Sequence, residues 1–449
     1  MKDKKIVVTL KYFKGELNPF DGAALECAIE TGAKDITVVS MAPMSALNAF
    51  QSLTRLGVKG VFISDSLYAG SDTQATSQVL AEAIKRLRPD LIFCGRQSID
   101  GDTAQVPPML AQRLGFSIKA KVIQTDGTHV TLRSGETFTP EDRTVLTFER
   151  IRTLRFPSIF SKQREVEIWD NDLLGLSTQN CGLNGSPTRV IKSYESNVGR
   201  RNCTFVGLAE LPRLIDESLQ KSRTEQAENT GEQLDEIYFV GDIENVAKSV
   251  AKRALRLDAK NKTSETLARE IKGKTVLWED TDELKLLAPQ VAVLTGAGIC
   301  ADCISFRVEA EKMVMTRPAQ GGNIMADIIC TSDTAFATVR TVKKGVSDVI
   351  FSVGKGAIEQ IDKIKAVAEK YNAEICCSRI VADSGKLPYE KQVGLTGKTV
   401  GPKVYVAIGI SGAVQHTCAI SGAGTVIAIN SDKNARIFDY ADYGVVAEV

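Results

Sequence analysis

The first half of the chain alternates short apolar runs with stretches in which apolar side chains recur every three or four residues. The apolar, β-branched runs are residues 6–10, 36–40, 61–64 and 91–94. The stretches with helical spacing are residues 23–30, 44–55 and 76–87. Because such runs form buried strands and such spacing forms amphipathic helices, the pattern predicts a mostly parallel sheet with helices on both faces.

The second half repeats this alternation after a polar break. Residues 213–236 contain few apolar positions, and we predict a helix there that runs into a solvated linker. Beyond the break, the predicted strands are residues 237–240, 291–294, 348–353, 374–377 and 404–408, and an amphipathic helix is predicted at 358–371. The chain is therefore expected to be α/β on both sides of the break.

The loops around the predicted strand 404–408 carry the densest candidate chemistry. The glycines that flank it are Gly394, Gly397, Gly409 and Gly412, and the polar side chains among them are Thr396, Ser411, Gln415 and His416. Glycine lets backbone approach a ligand closely, and the predicted strand-to-helix turn at 411–413 would expose N–H groups to an anion. Ligands of parallel sheets lie beyond the carboxyl ends of the strands, so we expect a ligand here. A buried strand between two ordinary turns is the simpler alternative.

The run from 386 to 449 resembles the flavin domain of the alpha subunit of electron transfer flavoproteins. The matching motifs are Q-V-G and T-G-K at 392–398, G-I-S-G-A and Q-H at 409–416, A-I-N at 428–430, I-F at 437–438 and A-D-Y-G at 441–444. The resemblance implies bound FAD. By position, its contacts are Lys355, Ser378, Arg379, Val393, Gly394, Leu395, Thr396, Ser411, Gly412, Ala413, Val414, Gln415, His416, Asn430, Glu448 and Val449. The family has arginine where this chain has Lys355. Lysine keeps the positive charge but cannot make the bidentate contact of arginine with phosphate.

Three of these side chains are expected to tune the flavin. A flavin that gains an electron as an anion carries negative charge near N1 and its C2 carbonyl. A cation at Arg379 over the ring and a donor at His416 near that carbonyl would favour the reduced states, and Thr396 would donate to N5. For His416 alone, a satisfied core histidine is the alternative. No residue is expected to act as a nucleophile or general base.

The run from 1 to about 212 resembles the beta subunit of the same family. The matching motifs are N-P-F-D at 18–21, A-G-S-D-T at 69–73, the loop 95–106 and G-S-P-T-R-V at 185–190. The resemblance implies a second adenine nucleotide. By position, its contacts are Thr9, Asn18, Pro19, Phe20, Asp21, Met41, Gly95, Arg96, Gln97, Ser98, Ile99, Asp100, Gly101, Asp102, Thr103, Ala104, Gln105 and Val106.

The loop 100–106 bears on which nucleotide is bound. Simple electron-transferring members of the family hold AMP. The run D-G-D-T-A-Q-V here is closer to members that hold a second FAD and split the electrons of NADH between two acceptors, and Gly101 and Ala104 leave room near a diphosphate. Asp100 and Asp102 would repel phosphate and are expected to face ribose, adenine or a helix start. Helix capping by Asp102 and Thr103 is the alternative.

Residues 155–159 resemble the loop by which the family docks on an acyl-CoA dehydrogenase. By position Ile159 is the exposed apolar anchor, and the basic residues around it would form a polar rim: Arg152, Arg155, Lys162 and Arg164. An edge strand with snorkelling charges is the alternative. For a bifurcating protein, a ferredoxin or flavodoxin is the further expected partner.

The resemblances define the expected organisation. The fold class is α/β, with two adenine-nucleotide-binding α/β units and a C-terminal FAD-binding, doubly wound parallel-sheet domain. The expected boundaries are 1–212 for the beta-like domain, 213–236 for the linker, 237–345 for a reduced first domain of the alpha type and 346–449 for the FAD domain. The region 237–345 carries the motif T-R-P-A-Q-G-G-N at 316–323 and is expected to be mainly structural.

Composition narrows the remaining possibilities. With 56 Lys+Arg against 55 Asp+Glu, bulk charge favours neither nucleic acid nor a membrane surface, and no apolar stretch is long enough for a membrane span. The chain has ten scattered cysteines, several of them in apolar runs, which fits a reducing, cytoplasmic location. Cys300 and Cys303 form a lone C-x-x-C in a chain with only two histidines, so no metal site is expected.

Two other functions remain as alternatives to electron transfer. A non-redox regulatory protein that binds adenine nucleotides would use the same α/β halves but would be colourless. A hydrolase or synthetase of adenine nucleotides is disfavoured, because the chain lacks the Gly-x4-Gly-Lys-Ser/Thr phosphate loop.

Overall fold

The computed structural model describes residues 1–195, 199–220, 231–342 and 347–448. These residues fall into two compact units. The first unit comprises the described residues of Met1–Ser193, Thr230–Gln320 and Ala326–Val339. The second comprises those of Tyr194–Asn229, Gly321–Met325 and Arg340–Val449. In the described part of the chain, no helix is both long and apolar enough to cross a membrane.

A nine-stranded sheet, here called the N-terminal sheet, organises the first part of the first unit. Its strands, in spatial order, are Glu167–Trp169, Lys59–Ile63, Asp35–Met41, Lys5–Leu10, Leu91–Gly95, Thr144–Phe148, Ser117–Thr125, Val130–Leu132 and Thr137–Phe138. The first seven pair in parallel and the last two add antiparallel strands. The strand order reverses between Lys5–Leu10 and Leu91–Gly95, which is where ligands of such sheets bind.

Helices cover both faces of this sheet. They are Pro19–Glu30, Leu47–Ser52, Thr73–Leu87, Val106–Leu114 and Asn171–Leu174, with short 3₁₀ turns at Met44–Ala46, Leu53–Leu56 and Ser66–Tyr68. The predicted helix at 44–55 is thus interrupted by 3₁₀ turns at both ends. One face packs around Phe50, Phe62 and Phe148, and the other around Val79 and Ile84. Burial on both faces explains why the strands are apolar throughout.

A second parallel sheet of the first unit, here called the middle sheet, has five strands. Its strands, in spatial order, are Ala251–Arg256, Leu234–Val240, Thr275–Glu279, Ala335–Val339 and Gly298–Cys303. Its helices are Glu244–Val250, Ser264–Ile271 and Asp282–Thr295. The predicted strand at 237–240 is confirmed.

The predicted strand at 291–294 is wrong, because these residues lie in the helix Asp282–Thr295. The Thr281 side chain caps the start of that helix, accepting from the Leu284 N–H at 3.3 Å, and Gly296 ends it with a φ of +69°. The buried positions Leu284, Ala288 and Val291 have helical spacing. A four-residue apolar run cannot distinguish a strand from one turn of a buried helix.

Two smaller β structures also occur. A four-stranded sheet has the order Thr188–Glu195, Ile324–Cys330, Lys312–Ala319 and Ser305–Glu309, and its last two strands are antiparallel. An antiparallel ribbon joins Tyr12–Phe13 to Glu16–Leu17. A 3₁₀ turn at Gln320–Gly322 follows the strand Lys312–Ala319.

A six-stranded parallel sheet, here called the C-terminal sheet, forms the second unit. Its strands, in spatial order, are Thr204–Phe205, Tyr443–Val446, Thr425–Asn430, Val404–Ile408, Val349–Val353 and Glu374–Cys377. The strand order reverses between Val404–Ile408 and Val349–Val353. The predicted strands at 348–353, 374–377 and 404–408 are therefore confirmed, the first shorter by one residue, and the sheet is doubly wound as expected.

Short helices surround the C-terminal sheet. They are Leu211–Gln220, Ile361–Glu369, Arg379–Asp383 and Val414–Thr417, with 3₁₀ turns at Leu208–Glu210, Lys355–Gln360, Tyr389–Lys391 and Arg436–Tyr440. The predicted helix at 358–371 is shortened to Ile361–Glu369. The helix Leu211–Gln220 buries Leu214 and Ile215 in the core of this unit.

Candidate functional site

Two loops meet at the reversal point of the C-terminal sheet. One follows Val349–Val353 and the other follows Val404–Ile408. The Gly354 N–H donates to the Ile408 carbonyl at 2.7 Å. A Cβ at Gly354 would collide with the carbonyl of Gly409, so the close approach of these loops requires glycine.

Backbone hydrogen bonds bring the other predicted flavin contacts to the same edge. The N–H groups of Ser378, Val393 and Leu395 donate to the carbonyls of Val353, Cys377 and Gln415 at 2.9, 2.9 and 2.7 Å. The Asn430 amide donates to the Ile410 carbonyl at 2.9 Å. Residues from four successive strand ends are thus held together.

The turn before the helix Val414–Thr417 also depends on glycine. Gly412 has a φ of +86°, and a Cβ there would collide with the backbone nitrogen of Ile437. The predicted strand-to-helix turn is confirmed, although the helix has only four residues. Ser411 and Gln415 are exposed beside it.

His416 is buried at the base of this turn. Its Nε2 lies 2.8 Å from the Tyr405 hydroxyl, and its Nδ1 is buried with no hydrogen-bond partner of good geometry among the described residues. Burial lowers the pKa of His416 to about 4, so the ring is neutral at pH 7. A neutral ring donates from one nitrogen and accepts at the other.

The other polar candidates differ in exposure. Arg379 begins the helix Arg379–Asp383 and pairs with Asp383 at 3.1 Å. Thr396 accepts a hydrogen bond from the Gln392 amide at 2.8 Å. Lys355 and Glu448 are exposed. Val449 lies outside the described residues.

These residues fit a flavin nucleotide. The hydroxyl of Ser378 and Nδ1 of His416 are buried polar atoms without a hydrogen-bond partner of good geometry in the described part of the chain. Buried polar atoms of this kind need a partner. A polar ring with amide and carbonyl groups would supply one.

A cavity of about 780 Å³ lies at the reversal point of the N-terminal sheet. Its walls include the carboxyl ends of Lys5–Leu10 and Leu91–Gly95 and the loops that follow them. The predicted nucleotide contacts that line it are Thr9, Asn18, Asp21, Met41, Gly95, Arg96, Gln97, Ser98, Gly101, Thr103, Ala104, Gln105 and Val106. The predicted contacts that are not among its lining residues are Pro19, Phe20, Ile99, Asp100 and Asp102.

A buried carboxyl group joins the two loops. Asp21 accepts hydrogen bonds from the backbone N–H groups of Lys11 at 2.7 Å and Gly95 at 3.1 Å. A Cβ at Gly95 would collide with this carboxyl group. Burial raises the pKa of Asp21 to about 7, although its hydrogen bonds oppose the shift. The Asn18 amide donates to the Gln97 carbonyl at 2.9 Å and fixes the second loop.

The two acidic residues of the loop are turned to protein partners. Asp100 pairs with Lys11 at 2.7 Å, and Asp102 accepts from the Gln97 amide at 2.9 Å. The alternative that Asp102 or Thr103 caps the following helix is wrong, because the residue before the helix Val106–Leu114 is Gln105 and no side chain caps it.

The middle region contributes to this cavity, which the sequence interpretation missed. Five of its residues line the wall: Ile299, Cys300, Ala301, Arg317 and Ile328. The Gln105 amide donates to the Ile299 carbonyl at 3.3 Å. The region 237–345 was expected to be mainly structural, and the structure adds that it forms part of this wall. The motif at 316–323, which contains Arg317, was the signal available in the sequence.

The C-x-x-C pair consists of two buried thiols. Among the described residues, no group of three or more His, Cys, Asp or Glu side chains is arranged to hold a metal ion. Cys300 and Cys303 are buried, and burial raises the pKa of Cys303 well above its usual value, which favours the neutral thiol.

The predicted docking loop projects three apolar side chains. Ile159 is 84% exposed, and Phe156 and Phe160 beside it are 95% and 86% exposed. Arg155 pairs with the buried Glu26 at 2.6 Å and anchors the loop. The alternative of an edge strand is wrong, because residues 151–166 contain no strand.

Comparison with known proteins identifies the family. The electron transfer flavoprotein domain matches residues 6–137 and 245–366, and the electron transfer flavoprotein FAD-binding domain matches residues 345–421. The chain is 31% identical over 261 residues to the electron transfer flavoprotein subunit alpha of Thermoanaerobacterium thermosaccharolyticum, covering 48% of this chain and 79% of the relative.

Relatives of the beta type match as well. The chain is 35% identical over 198 residues to the electron transfer flavoprotein subunit beta of Clostridium acetobutylicum, covering 40% of this chain and 76% of the relative. It is 32% identical over 266 residues to the acryloyl-CoA reductase electron transfer subunit beta of Anaerotignum propionicum, covering 43% and 72%. The chain therefore belongs to the electron transfer flavoprotein family, and it joins a beta-like part and an alpha-like part.

Proposed function

We propose that this member of the electron transfer flavoprotein family bifurcates electrons from NADH. FAD in the C-terminal domain passes electrons one at a time, and a second FAD in the N-terminal cavity accepts hydride from NADH. The observation that carries the proposal is the presence in one chain of two sites at sheet reversal points, one of them a cavity of about 780 Å³.

The C-terminal residues would bind the flavin and balance its charge. FAD supplies the redox chemistry when bound. The Arg379 guanidinium provides positive charge, the Thr396 hydroxyl is oriented by Gln392, and the neutral His416 ring offers Nδ1 as a donor when Tyr405 donates to Nε2. Donors and positive charge that are fixed before reduction favour the state with more electrons. The other proposed contacts to FAD are those that the family resemblance implies by position.

The identity of the second nucleotide separates two versions of the proposal. A cavity of about 780 Å³ is in the upper part of the range for small-molecule sites, which favours a dinucleotide. Gly101 and Ala104 line the cavity, and neither carries a side chain larger than methyl. A simple electron carrier with structural AMP in this cavity is the second candidate, because AMP needs only the adenine and ribose part of the same site.

The exposed docking loop supports a flavoprotein dehydrogenase as electron partner. Phe156, Ile159 and Phe160 form an apolar group large enough to anchor a protein interface. The relative from Anaerotignum propionicum is named as an electron transfer subunit of acryloyl-CoA reductase, which supports a partner of the acyl-CoA dehydrogenase type. Bifurcation also needs a low-potential acceptor, for which ferredoxin or flavodoxin is proposed.

Anaerobic titration with NADH tests the proposal. Bifurcation requires that NADH alone bleaches flavin absorbance in the purified chain. The variant Gly101→Leu introduces a side chain into the cavity without backbone strain, since the φ of Gly101 is not positive. It is expected to abolish bleaching by NADH while dithionite still reduces the C-terminal flavin. Flavin that NADH leaves oxidised in the wild-type chain contradicts bifurcation and favours the simple carrier.

A further inference from the structure

One carboxyl group of the N-terminal cavity is buried more deeply than the others. Asp21 lines the cavity and is only 6% exposed, whereas the other two aspartates of the lining, Asp65 and Asp72, are half-buried. The free-energy cost of a charge rises as water is removed from around it. Of the three carboxyl groups, Asp21 therefore has the strongest reason to bind a proton.

The hydrogen bonds of Asp21 come from neutral donors. Its oxygens accept from the backbone N–H groups of Lys11 at 2.7 Å and Gly95 at 3.1 Å, and the Asn18 side chain adds a further hydrogen bond. Lys11 also acts on it through its charge, but the ammonium group of Lys11 pairs with Asp100 at 2.7 Å. Neutral donors stabilise a buried carboxylate less than a contacting cation does.

The other titratable groups that face Asp21 or the start of its helix are Tyr12, Cys94, Arg96, Glu149 and Arg150. Burial raises the pKa of Tyr12 and of Cys94, so both groups are neutral at pH 7. Arg96 pairs with Glu149 at 3.0 Å, and Arg150 lies over the ring of Phe20, 5.9 Å from its centre. In these surroundings burial raises the pKa of Asp21 to about 7.

Asn18 offers an acceptor for a proton on Asp21. Its side chain contacts the carboxyl group, and its Oδ1 is buried with no hydrogen-bond partner among the described residues. The amide nitrogen of Asn18 donates to the Gln97 carbonyl at 2.9 Å, which holds the side chain in place. A neutral carboxyl group can donate to such an acceptor, whereas a carboxylate can only accept.

A nucleotide would bring more negative charge into this cavity. The charged residues of its lining are three carboxylates and three cations, namely Asp21, Asp65, Asp72, Lys11, Arg96 and Arg317. Two of the cations, Lys11 and Arg96, already pair with carboxylates outside the lining. Among the described lining residues, one cation therefore remains against three carboxylates. A phosphate group nearby further disfavours the ionised form of a carboxyl group, because like charges repel.

We propose that the phosphate of a nucleotide in the N-terminal cavity binds together with one proton, which Asp21 takes up. The proposal rests on the proposed second nucleotide and adds that its binding is linked to pH. Because the bound state holds more protons than the free state, affinity for AMP is expected to fall as the pH rises above 7, by up to about tenfold per pH unit. The same linkage is expected for the diphosphate of FAD.

Calorimetric titration of the full-length chain with AMP in two buffers tests this proposal. The chain carries one equivalent of FAD, and other nucleotide is first removed by gel filtration in high salt. At pH 8, binding enthalpies in buffers of low and high ionisation enthalpy differ in proportion to the protons taken up. The wild type is expected to take up about 0.5 to 1 proton with AMP and none with adenosine, which has no phosphate. Asp21→Asn is expected to take up none with AMP, and the exposed control Asp3→Asn is expected to match the wild type.

Further outcomes separate the inference from the proposal on which it rests. Infrared difference spectra of the wild type with and without AMP are expected to gain the C=O stretch of a protonated carboxyl group and to lose a carboxylate band, which covers failure of Asp21→Asn to fold. A proton taken up by the phosphate itself would persist in Asp21→Asn. Equal uptake in the wild type and Asp21→Asn, or a difference spectrum without this exchange, overturns the inference and leaves the second nucleotide intact. A wild-type chain that binds neither AMP, adenosine nor FAD in the cavity overturns the proposed function and the inference with it.

Discussion

The Tyr405 hydroxyl lies 2.8 Å from Nε2 of His416, and both side chains are buried in the second unit. Burial lowers the pKa of His416 to about 4, against a smaller raising influence from the backbone at Val393. Because the ring is neutral at pH 7, Tyr405 can fix which nitrogen bears the proton. The pair therefore determines whether Nδ1 acts as a donor.

Acidification is expected to destabilise the second unit through His416. The unfolded chain gains this proton near pH 6.5 and the folded chain near pH 4. The stabilisation is complete above pH 6.5 and is lost as the pH falls through 4, by about 2 kcal/mol between pH 7 and pH 5. Urea unfolding followed by circular dichroism measures the loss. The variant His416→Asn is expected to flatten it, and an unchanged pH dependence in that variant contradicts the assignment.

The opposite pH dependence is expected at Asp21. Burial raises the pKa of this carboxyl group to about 7, so its stabilising contribution is present at low pH and is lost as the pH rises through 7. The expected loss is about 2.5 kcal/mol between pH 5 and pH 7.5. Unfolding of Asp21→Asn at the two pH values is expected to lack this loss. The exposed control Asp3→Asn is expected to lose stability with rising pH as the wild type does. Equal loss in the two variants argues against a raised pKa at Asp21.

The charge of Arg379 is expected to raise the reduction potential of the C-terminal flavin. Removing a cation beside a ring that gains negative charge disfavours reduction. We expect Arg379→Ala to shift the one-electron reduction equilibrium of the flavin about tenfold toward the oxidised state. This shift corresponds to a decrease of about 60 mV in the reduction potential. Potentiometric titration measures it, with the exposed Lys363→Ala as the control. A potential that does not move in Arg379→Ala excludes this role.

Gly412 is expected to be essential for flavin binding. An alanine there would combine a φ of +86° with a collision at Ile437 and cost more than about 1 kcal/mol of stability. FAD content and the free energy of unfolding are both expected to fall in Gly412→Ala. Gly422→Ala is the control, since its Cβ would meet no atom closer than 3.7 Å. Full FAD content in Gly412→Ala would show that the turn is not part of the site.

The docking loop is expected to govern transfer to a dehydrogenase and not flavin binding. Ile159→Ala is predicted to lower kcat/KM with an acyl-CoA dehydrogenase partner by about tenfold, because it removes an exposed apolar anchor. Flavin content and reduction by dithionite should stay at wild-type levels. Leu173→Ala changes an exposed leucine outside the loop and serves as the control. Equal rates for both variants would remove the loop from the proposed interface.

Local pattern was sufficient to predict the strands and the loops at their ends. Strands such as Val404–Ile408 are continuous apolar runs because both faces of a parallel sheet are buried. The same signal failed at 291–294, where helix caps at Thr281 and Gly296 outweigh a short apolar run. Boundaries shifted where 3₁₀ turns replace the ends of a helix, as at 44–55.

The part of the N-terminal cavity formed by the middle region could not be predicted in this way. Ile299 and Arg317 reach the wall by the pairing of strands that are far from residues 95–106 in sequence. The local spacing of apolar residues does not indicate contacts between segments that are distant in sequence. The burial of Arg317, with Nε and Nη2 lacking hydrogen-bond partners among the described residues, depends on the folded structure and has no local signal in the sequence.

The cofactor content of the purified full-length chain tests the central claim most directly. Denaturing extraction followed by chromatography counts FAD and AMP per chain. The proposed bifurcating electron transfer flavoprotein predicts two FAD and no AMP. One FAD with one AMP would contradict bifurcation, and a chain that contains no flavin and takes up none would contradict electron transfer by this protein.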